Sequence, residues 1–489
     1  MENYTQDNRI IRVETPLGKD VLLLQAFAGG ESVSDLFEFD LTLHSTNHDI
    51  SLDALIGEKV CVVIKLSDES ERFINGMISE FRHSGTFLLQ DGQKASILSH
   101  YQARLVPWFW ALKLNRDCRI FQNKSVPEIV REIFDEHPAA TFELRLTGDY
   151  APREYCVQYR ESDFNFVSRL LEEEGIFYFF EHSRQDHKLV LADNPMQFKP
   201  SAYHPQIDFA SVTGADKSET AVTAWQVSRR MRSEQVELRD FNFRSPSLNL
   251  TTNLKSQKKR GRELEIYDYP GEYESKDLGE KLVRIRYEAE KTQELTISAQ
   301  TNGRGLAAGY RFGLKRHPRR DFNREYVLLR VEHQASQAGN YRSSAASEAF
   351  DYTCNFTCFP HPTNFRPHRK TLVPKVQGTQ TAIVVGPKGE EIFVDKHGRV
   401  KVHFHWDRVE KNAKSSCWIR VSQPWAGTGF GGITIPRIGQ EVIVDFLEGD
   451  PDRPIITGRV YNGASRPPYE LPANKAHSGL MSRSTPKGG

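Results

Sequence analysis

Apolar residues along most of this chain recur in short β-rich runs bounded by polar turns. "KVCVVIKL" (59–66), "RFINGMISEF" (72–81) and "ASILSHYQARLVP" (95–107) are of this kind and predict strands across residues 1–120. The pattern changes to helical period in three places. In "SVPEIVREIFDEH" Ser125 and Glu128 have capping-box spacing, and Val126, Ile129, Val130, Ile133 and Phe134 share one face. A second helix is expected from about Ser162 in "ESDFNFVSRLLEEEG", with Phe166, Val167, Leu170 and Leu171 inward. Gly175 ends it before the strand "IFYFFEH". The third follows the Pro270-Gly271 turn in "YDYPGEYESKDLGEKLVRIRYEAEK".

Residues 380–463 return to period two. In "GRVKVHFHWDR" Val400, Val402, Phe404 and Trp406 alternate with Lys401, His403, His405 and Asp407. "CWIRVSQPW" and "QEVIVDFLEG" alternate similarly, and "RPIITGRVYNG" is the last strand. Short alternating strands joined by glycine and proline turns suit a small closed barrel such as an OB-fold. The proline-rich "CFPHPTNFRPHRKTLVPKVQG", with His361 and His368, reads as an extended inter-domain linker, and residues 464–489 as a linker or tail.

At 489 residues the chain exceeds one hydrophobic core. Its 11% aromatic content, with 29 Phe and 17 Tyr, favours strands over helical bundles. The net charge of +1 excludes a global field drawing the protein to nucleic acid or an acidic membrane. "MENYTQDNRIIRVETPLGKD" has neither the basic nor the apolar region of a signal peptide, so synthesis and folding in the cytoplasm are expected. The six cysteines (61, 118, 156, 354, 358 and 417) are expected to be free. The closest pair, Cys354 and Cys358, is four strand residues apart, about 13 Å, beyond disulfide reach.

Candidate chemistry is sparse. Gly427, Gly429 and Gly432 match G-x-G-x-x-G, but Ile433-Thr434-Ile435-Pro436 follows where a dinucleotide site needs a helix. We read the stretch as a loop entering a barrel strand and expect no cofactor. His403 and His405 lie on one strand face, with Asp407 or His397 as further donors, too few for a structural zinc site, so no metal is expected. Glu172, Glu173 and Glu174 splay around a helix and read as a solvated terminus rather than the paired carboxylates of a glycosidase. Neither G-x-S-x-G nor H-E-x-x-H occurs, and no catalytic residue is assigned. Trp406, Trp418 and Trp425 could stack on bases, yet residues 380–463 carry 11 basic against 10 acidic residues, too balanced for a nucleic-acid groove. The basic "RFGLKRHPRRDFNR" (311–324) reads as a solvated loop.

"RIFQNKSVPEIV", "QYRESDFNFVSRLLEEEGIFYFF", "YDYPGEY", "GRVKVHFHWDR", "CWIRVSQPWAGTGFGG" and "PRIGQEVIVDFLEGDPDRPIITGRVYN" together resemble the VgrG (valine-glycine repeat protein G) family, the spikes of type VI secretion systems. These proteins are related to the hub and spike proteins of contractile phage tails. The resemblance implies a mainly β fold with a few helices and a trimer. Residues 1–375 would form a phage-tail-hub-like region of two β-barrel subdomains, about 60–180 and 185–375, with inserted helices. An OB-fold barrel would follow at 380–463, and 464–489 would be a linker toward a β-helical needle that this chain does not include. It further implies no enzymatic activity, and a homotrimeric spike capping a hexameric tube, with tip and effector proteins as partners. Such a spike would be expelled through the target membrane and would not bind nucleic acid. A baseplate hub with a glycan-hydrolase role, or an OB-fold nucleic-acid binder, are the alternatives.

Overall fold

The structure, a computed structural model, describes residues 4–91, 94–210, 220–256, 264–338, 341, 349–409 and 411–485. Two compact units are present. One comprises residues 1–112, 137–149 and 170–370, the other residues 113–136, 150–169 and 371–489.

A twelve-stranded sheet organises the first unit. Its strands are β1 (Ile11–Glu14), β2 (Leu23–Ser32), β3 (Glu38–Ser45), β4 (Lys59–Lys65), β5 (Glu71–Asp91) and β6 (Lys94–Val106), then β7 (Gln206–Phe209), β8 (Ala221–Arg229), β9 (Leu295–Thr301), β10 (Arg311–Lys315), β11 (Glu325–Gln337) and β12 (Phe350–Pro360). The order is β1-β4-β5-β6-β3-β2-β11-β10-β7-β8-β9-β12, and β12 pairs back onto β11. The last six strands therefore close into a barrel, filled by Val222, Ile297, Phe312, Leu314, Tyr326, Leu328 and Phe356. The first six curl toward closure as well, and here a side chain completes the ring. Gln6 Oε1 accepts from the N–H groups of Val13 and Leu24 at 3.0 Å, while its Nε2 donates to the carbonyls of Val13 and Leu22. The amide thus joins β1 to β2 where their backbones do not pair, satisfying edge groups that would otherwise be buried without partners.

β11 holds the two barrels together. One of its edges pairs with β12 along its length, with a register shift between Leu328 and Arg330; the other pairs with β10 at Glu325–Val327 and with β2 from Arg330 to Ser336. Strands of the first barrel come from residues 11–106, a set that starts earlier and ends earlier than the expected 60–180. The reason is that pairing joins strands far apart in sequence, which periodicity cannot reveal.

In the second unit, β13 (Gln380–Val385), β14 (Lys401–Phe404), β15 (Arg420–Val421), β18 (Glu441–Phe446) and β19 (Pro454–Val460) form a sheet of order β14-β13-β18-β19-β15. Between β15 and β18 lies a separate hairpin of β16 (Trp425–Gly427) and β17 (Phe430–Gly432). A bridge between Val400 and Ile419, with N–H···O distances of 3.0 and 2.8 Å, joins the ends of the five-stranded sheet into a closed barrel. Its β15–β19 pairing is parallel. Five strands in this closed order are an OB-fold. Val400, Val402 and Phe404 point into the core with Ala382, Val384, Ile419, Val442, Val444 and Ile456, as the alternation predicts.

Helix α1 (Val126–Asp135) and the strand pair Arg116–Phe121/Cys156–Ser162 pack with this barrel, as does the first part of α2 (Asp163–Glu174). Gln380 Nε2 donates to the Tyr159 hydroxyl at 2.8 Å, and the Val157 N–H donates to Asp452 Oδ1 at 2.6 Å. A contiguous hub over 1–375 does not anticipate this grouping. The helix ends themselves match their signals. The Glu128 carboxylate accepts from the Ser125 N–H at 2.7 Å, and the five expected apolar residues of α1 are buried. Gly175, at φ +69°, ends α2 in a Schellman arrangement with Ile176 N–H to the Leu171 carbonyl and Gly175 N–H to that of Glu172. Helix α3 (Lys276–Thr292) covers the small sheet Gln235–Asp240, Leu250–Lys255 and Glu265–Asp268.

Candidate functional site

A buried polar constellation lies inside the first unit and has no counterpart among the sequence candidates. Glu31 on β2 and Arg72 on β5 form an ion pair at 2.8 Å, each side chain 3% exposed. Arg72 also donates to the Arg304 carbonyl at 2.8 Å and approaches His333 Nε2 of β11 at 3.2 Å; the other nitrogen of His333 meets the Tyr352 hydroxyl at 2.7 Å. Burial raises the Glu31 carboxyl to about 7, with Arg72 opposing the rise. Burial, then the Arg72 charge, holds His333 well below the usual imidazole value.

Beside this pair, on the hairpin of strands Phe177–His182 and His187–Ala192, His187 is fully enclosed. Its Nε2 accepts from the Trp108 N–H at 2.8 Å and its Nδ1 meets Asn75 Oδ1 at 2.9 Å. His182 Nδ1 accepts from the Asn75 N–H at 3.2 Å, and its Nε2 lies 3.9 Å from Glu31. Burial pushes His187 down to about 4 and His182 to about 3, the latter helped by its neighbour His187. Most of these groups hydrogen-bond one another, His182 Nε2 being a buried nitrogen without such a partner, and all lie within a strand-lined core, so the arrangement fixes barrel geometry and does not present reactive atoms to a substrate. In sequence, these residues are scattered from position 31 to position 352, and no motif connects them.

Of the sequence candidates for a metal, His403 and Asp407 approach each other, at 3.9 Å. His403 Nε2 bonds the Val409 carbonyl at 3.0 Å and His405 Nε2 the Thr381 hydroxyl at 3.1 Å. Among the described residues no cluster of metal-ligating side chains forms. Glu172, Glu173 and Glu174 are not a solvated terminus: all three are buried. Glu172 accepts from the Lys370 N–H at 3.0 Å, and Glu174 pairs with Lys281 at 2.9 Å. The chain after residue 360 therefore starts as a packed strap, with Phe365 buried against Phe177, Phe198 and Phe359. Arg366 in the same strap donates to the Gly175 and Asp193 carbonyls. The basic stretch 311–324 divides: Phe312 and Leu314 belong to the β10 core face, whereas Pro318–Asp321 are exposed. Trp406 stacks on Phe404 and donates to Gln380 Oε1, and Trp418 lies against Phe393. Neither forms a joint platform with Trp425, whose hairpin stands apart from the barrel sheet. The glycine motif is thus a hairpin of its own rather than a loop entering a barrel strand. Gly429 and Gly431, at φ +76° and +135°, make its turn and its close strand approach.

All six cysteines are free. Burial pushes the thiols of Cys61, Cys354 and Cys417 up to about 12 and raises that of Cys358 well above the usual thiol value. Unfolded, unreduced protein should therefore titrate six thiols, while these four stay silent in the native state. A count of four or fewer after unfolding contradicts the assignment.

The phage tail baseplate hub (GPD) family model matches residues 30–339, and the type VI secretion system/phage-baseplate injector OB domain model matches residues 390–461. The type VI secretion system spike proteins VgrG1c and VgrG1a of Pseudomonas aeruginosa are 42% and 43% identical. Each alignment covers 99% of this chain, and 66% and 74% of those proteins respectively. The actin cross-linking toxin VgrG1 of Vibrio cholerae is 34% identical over 95% of this chain, which spans 42% of that protein. Among solved structures, the Escherichia coli c3393 protein aligns with TM-score 0.65 at 21% identity, covering 92% of this chain and all of that one. It is described as a component of the type VI secretion system with structural similarity to tail proteins gp27 and gp5 of bacteriophage T4. A chain of a Francisella PdpA–VgrG complex aligns with TM-score 0.62 at 9% identity, over 97% of this chain and 73% of that one. With its hub-type barrels, its OB barrel and this identity over nearly its whole length, the chain belongs to the VgrG family of type VI secretion system spike proteins.

Proposed function

We propose that the chain acts as a structural spike: three copies cap a hexameric tube, leave the producing cell with it, and carry effectors through a target membrane. The observation that carries this reading is the pair of six-stranded barrels joined by the β2–β11 ladder. Two similar barrels per chain become six in a trimer, the number a closed ring needs to meet a hexameric partner. Residues 1–375 would then serve as the hub region and 380–463 as the barrel leading into the spike, with 464–489 as the exit segment. Synthesis in the cytoplasm, export by the secretion machine itself and the absence of catalysis in this chain belong to the same reading. A spike must be stiff, and ladder hydrogen bonds, a side-chain-sealed barrel edge and buried ion pairs resist the deformation that membrane entry imposes.

Light scattering of purified protein should give 168 kDa, three times the chain mass of 56.0 kDa. Concentrations of tens of micromolar lie well above the dissociation constants of obligate oligomers. A mass fixed at that of one chain across the range, or a stable even-numbered oligomer, refutes the proposal.

A further inference from the structure

The glycine-rich hairpin β16–β17 has no role in the barrel, yet its construction is specific. Residues 424–431 are all exposed, and Trp425, Phe430 and Ile433 are 65%, 62% and 75% exposed. The two rings meet edge to face at 5.6 Å. A Cβ on Gly427 would strike the Phe430 ring, and one on Gly431 the Trp425 carbonyl, so small residues there allow the rings to stand as they do. An isolated two-stranded hairpin is marginal in water. Two large apolar side chains at its surface call for a cover that the described residues do not supply.

Charge narrows the choice of cover. From Val421 to Pro436 the sequence has 16 residues and no Asp, Glu, Lys or Arg, where the 26% charged content of the chain would place about four. A charge placed close to a rotation axis faces its own like-signed copies at a cost, so an uncharged segment suits a contact packed near that axis. A basic or acidic partner would instead select complementary charges here.

We propose that the hairpin 424–433 is a contact between copies of this chain, with Trp425 and Phe430 of one copy packed against the same segment of the next near the three-fold axis. This rests on the trimeric reading above and assigns its contact surface. Trp425, Phe430 and Ile433 expose together roughly 300–400 Å² per copy, judged from typical aromatic areas. A stable interface needs about 800 Å² per partner. The hairpin is therefore the apolar centre of a larger contact, where truncations cost most.

The test compares the wild type with the double variant Trp425→Asp/Phe430→Asp and with Trp425→Phe. Neither ring lies in the five-stranded sheet, so circular dichroism and the barrel melt should match the wild type. The double variant should weaken trimer formation by at least about 100-fold, falling to the one-chain mass at concentrations where the wild type gives 168 kDa, three times 56.0 kDa. Trp425→Phe should remain trimeric. Independently, Thr428→Cys at the hairpin tip should give covalent dimers on mild oxidation. A trimeric double variant, or a trimeric Thr428→Cys protein that fails to cross-link, overturns the assignment while leaving the trimer standing. A wild type that is monomeric throughout overturns both. A double variant that trimerises normally but loses binding to anionic phospholipid vesicles assigns the hairpin to membranes and overturns it as well.

Discussion

Lowering the pH from 7 to 4 is expected to unfold the first barrel region, because its buried imidazoles are held in the neutral form. His187 shows why: its Nε2 accepts a hydrogen bond from the Trp108 N–H, so a proton there would set two donors against each other. Its pKa near 4 and that of His182 near 3 lie below the unfolded value of about 6.5. As pH falls, the unfolded chain binds these protons first. The stability contributed by the neutral rings is therefore complete above pH 6.5 and is lost as pH drops toward the folded values. One pKa unit corresponds to about 1.4 kcal/mol, so between pH 6.5 and 4 each of these two enclosed rings gives up roughly 3 kcal/mol. His44 and His204, both near 4, and His333 act in the same direction, in each case chiefly through burial. Glu31, raised to about 7, opposes them, since it gains stability on protonation between pH 7 and 4.5, and so offsets about one histidine. The net loss, on the order of 5 kcal/mol or more, is comparable to the whole stability of a typical domain. Thermal melts between pH 7.5 and 4 should show a steep fall in midpoint, lessened in His187→Gln, whose amide can still accept from Trp108. A midpoint that stays level over that range contradicts the mechanism.

Replacing Arg72 by leucine should cost about 3–5 kcal/mol, the usual consequence of stripping the partner from an enclosed charge. The guanidinium serves the Glu31 carboxylate, the Arg304 carbonyl and His333 at once, all in a site where water does not compete. Lysine should not rescue, since a single ammonium on a flexible stem cannot reproduce that planar fork. The double variant Arg72→Leu/Glu31→Leu should recover much of the loss, because an apolar pair of similar volume removes the unpaired charge. Urea unfolding of the four proteins measures all of this. A single Arg72→Leu variant within 1 kcal/mol (about the scatter of ordinary surface changes) would show that the pair does not brace the barrel.

Both effects arise from residues that attract no notice along the chain. Glu31 sits in "LLLQAFAGGES" and His333 in "VEHQAS", each one polar residue among several in a strand. They meet because β2 pairs with β11, a partnership across some 300 residues that period-two alternation leaves unspecified. The solvated reading of Glu172–Glu174 failed for a related reason. Three acidic residues at a helix end suggest water, but the strap at Lys370 and the Lys281 side chain close over them. The linker reading of 358–378 holds in part: the two units divide within it at residues 370 and 371, but its first half is packed into the first unit.

What the sequence determined by itself is local. The capping box of Ser125 and Glu128, the apolar face of α1, the glycine stop at 175 and the alternation of Val400, Val402 and Phe404 all appear as read. Each depends on residues within one or two turns or along one strand, where backbone geometry dictates the spacing. The longer motifs carried the family as well. Tertiary structure alone decided which strands share a barrel, that Gln6 seals an edge, and that residues 113–136 and 150–169 fold with the OB barrel. It also placed the histidines around the Glu31–Arg72 pair. Those outcomes depend on contacts between segments distant in sequence. They are selected by the total burial and hydrogen-bond satisfaction of the folded chain, which no single window of residues contains.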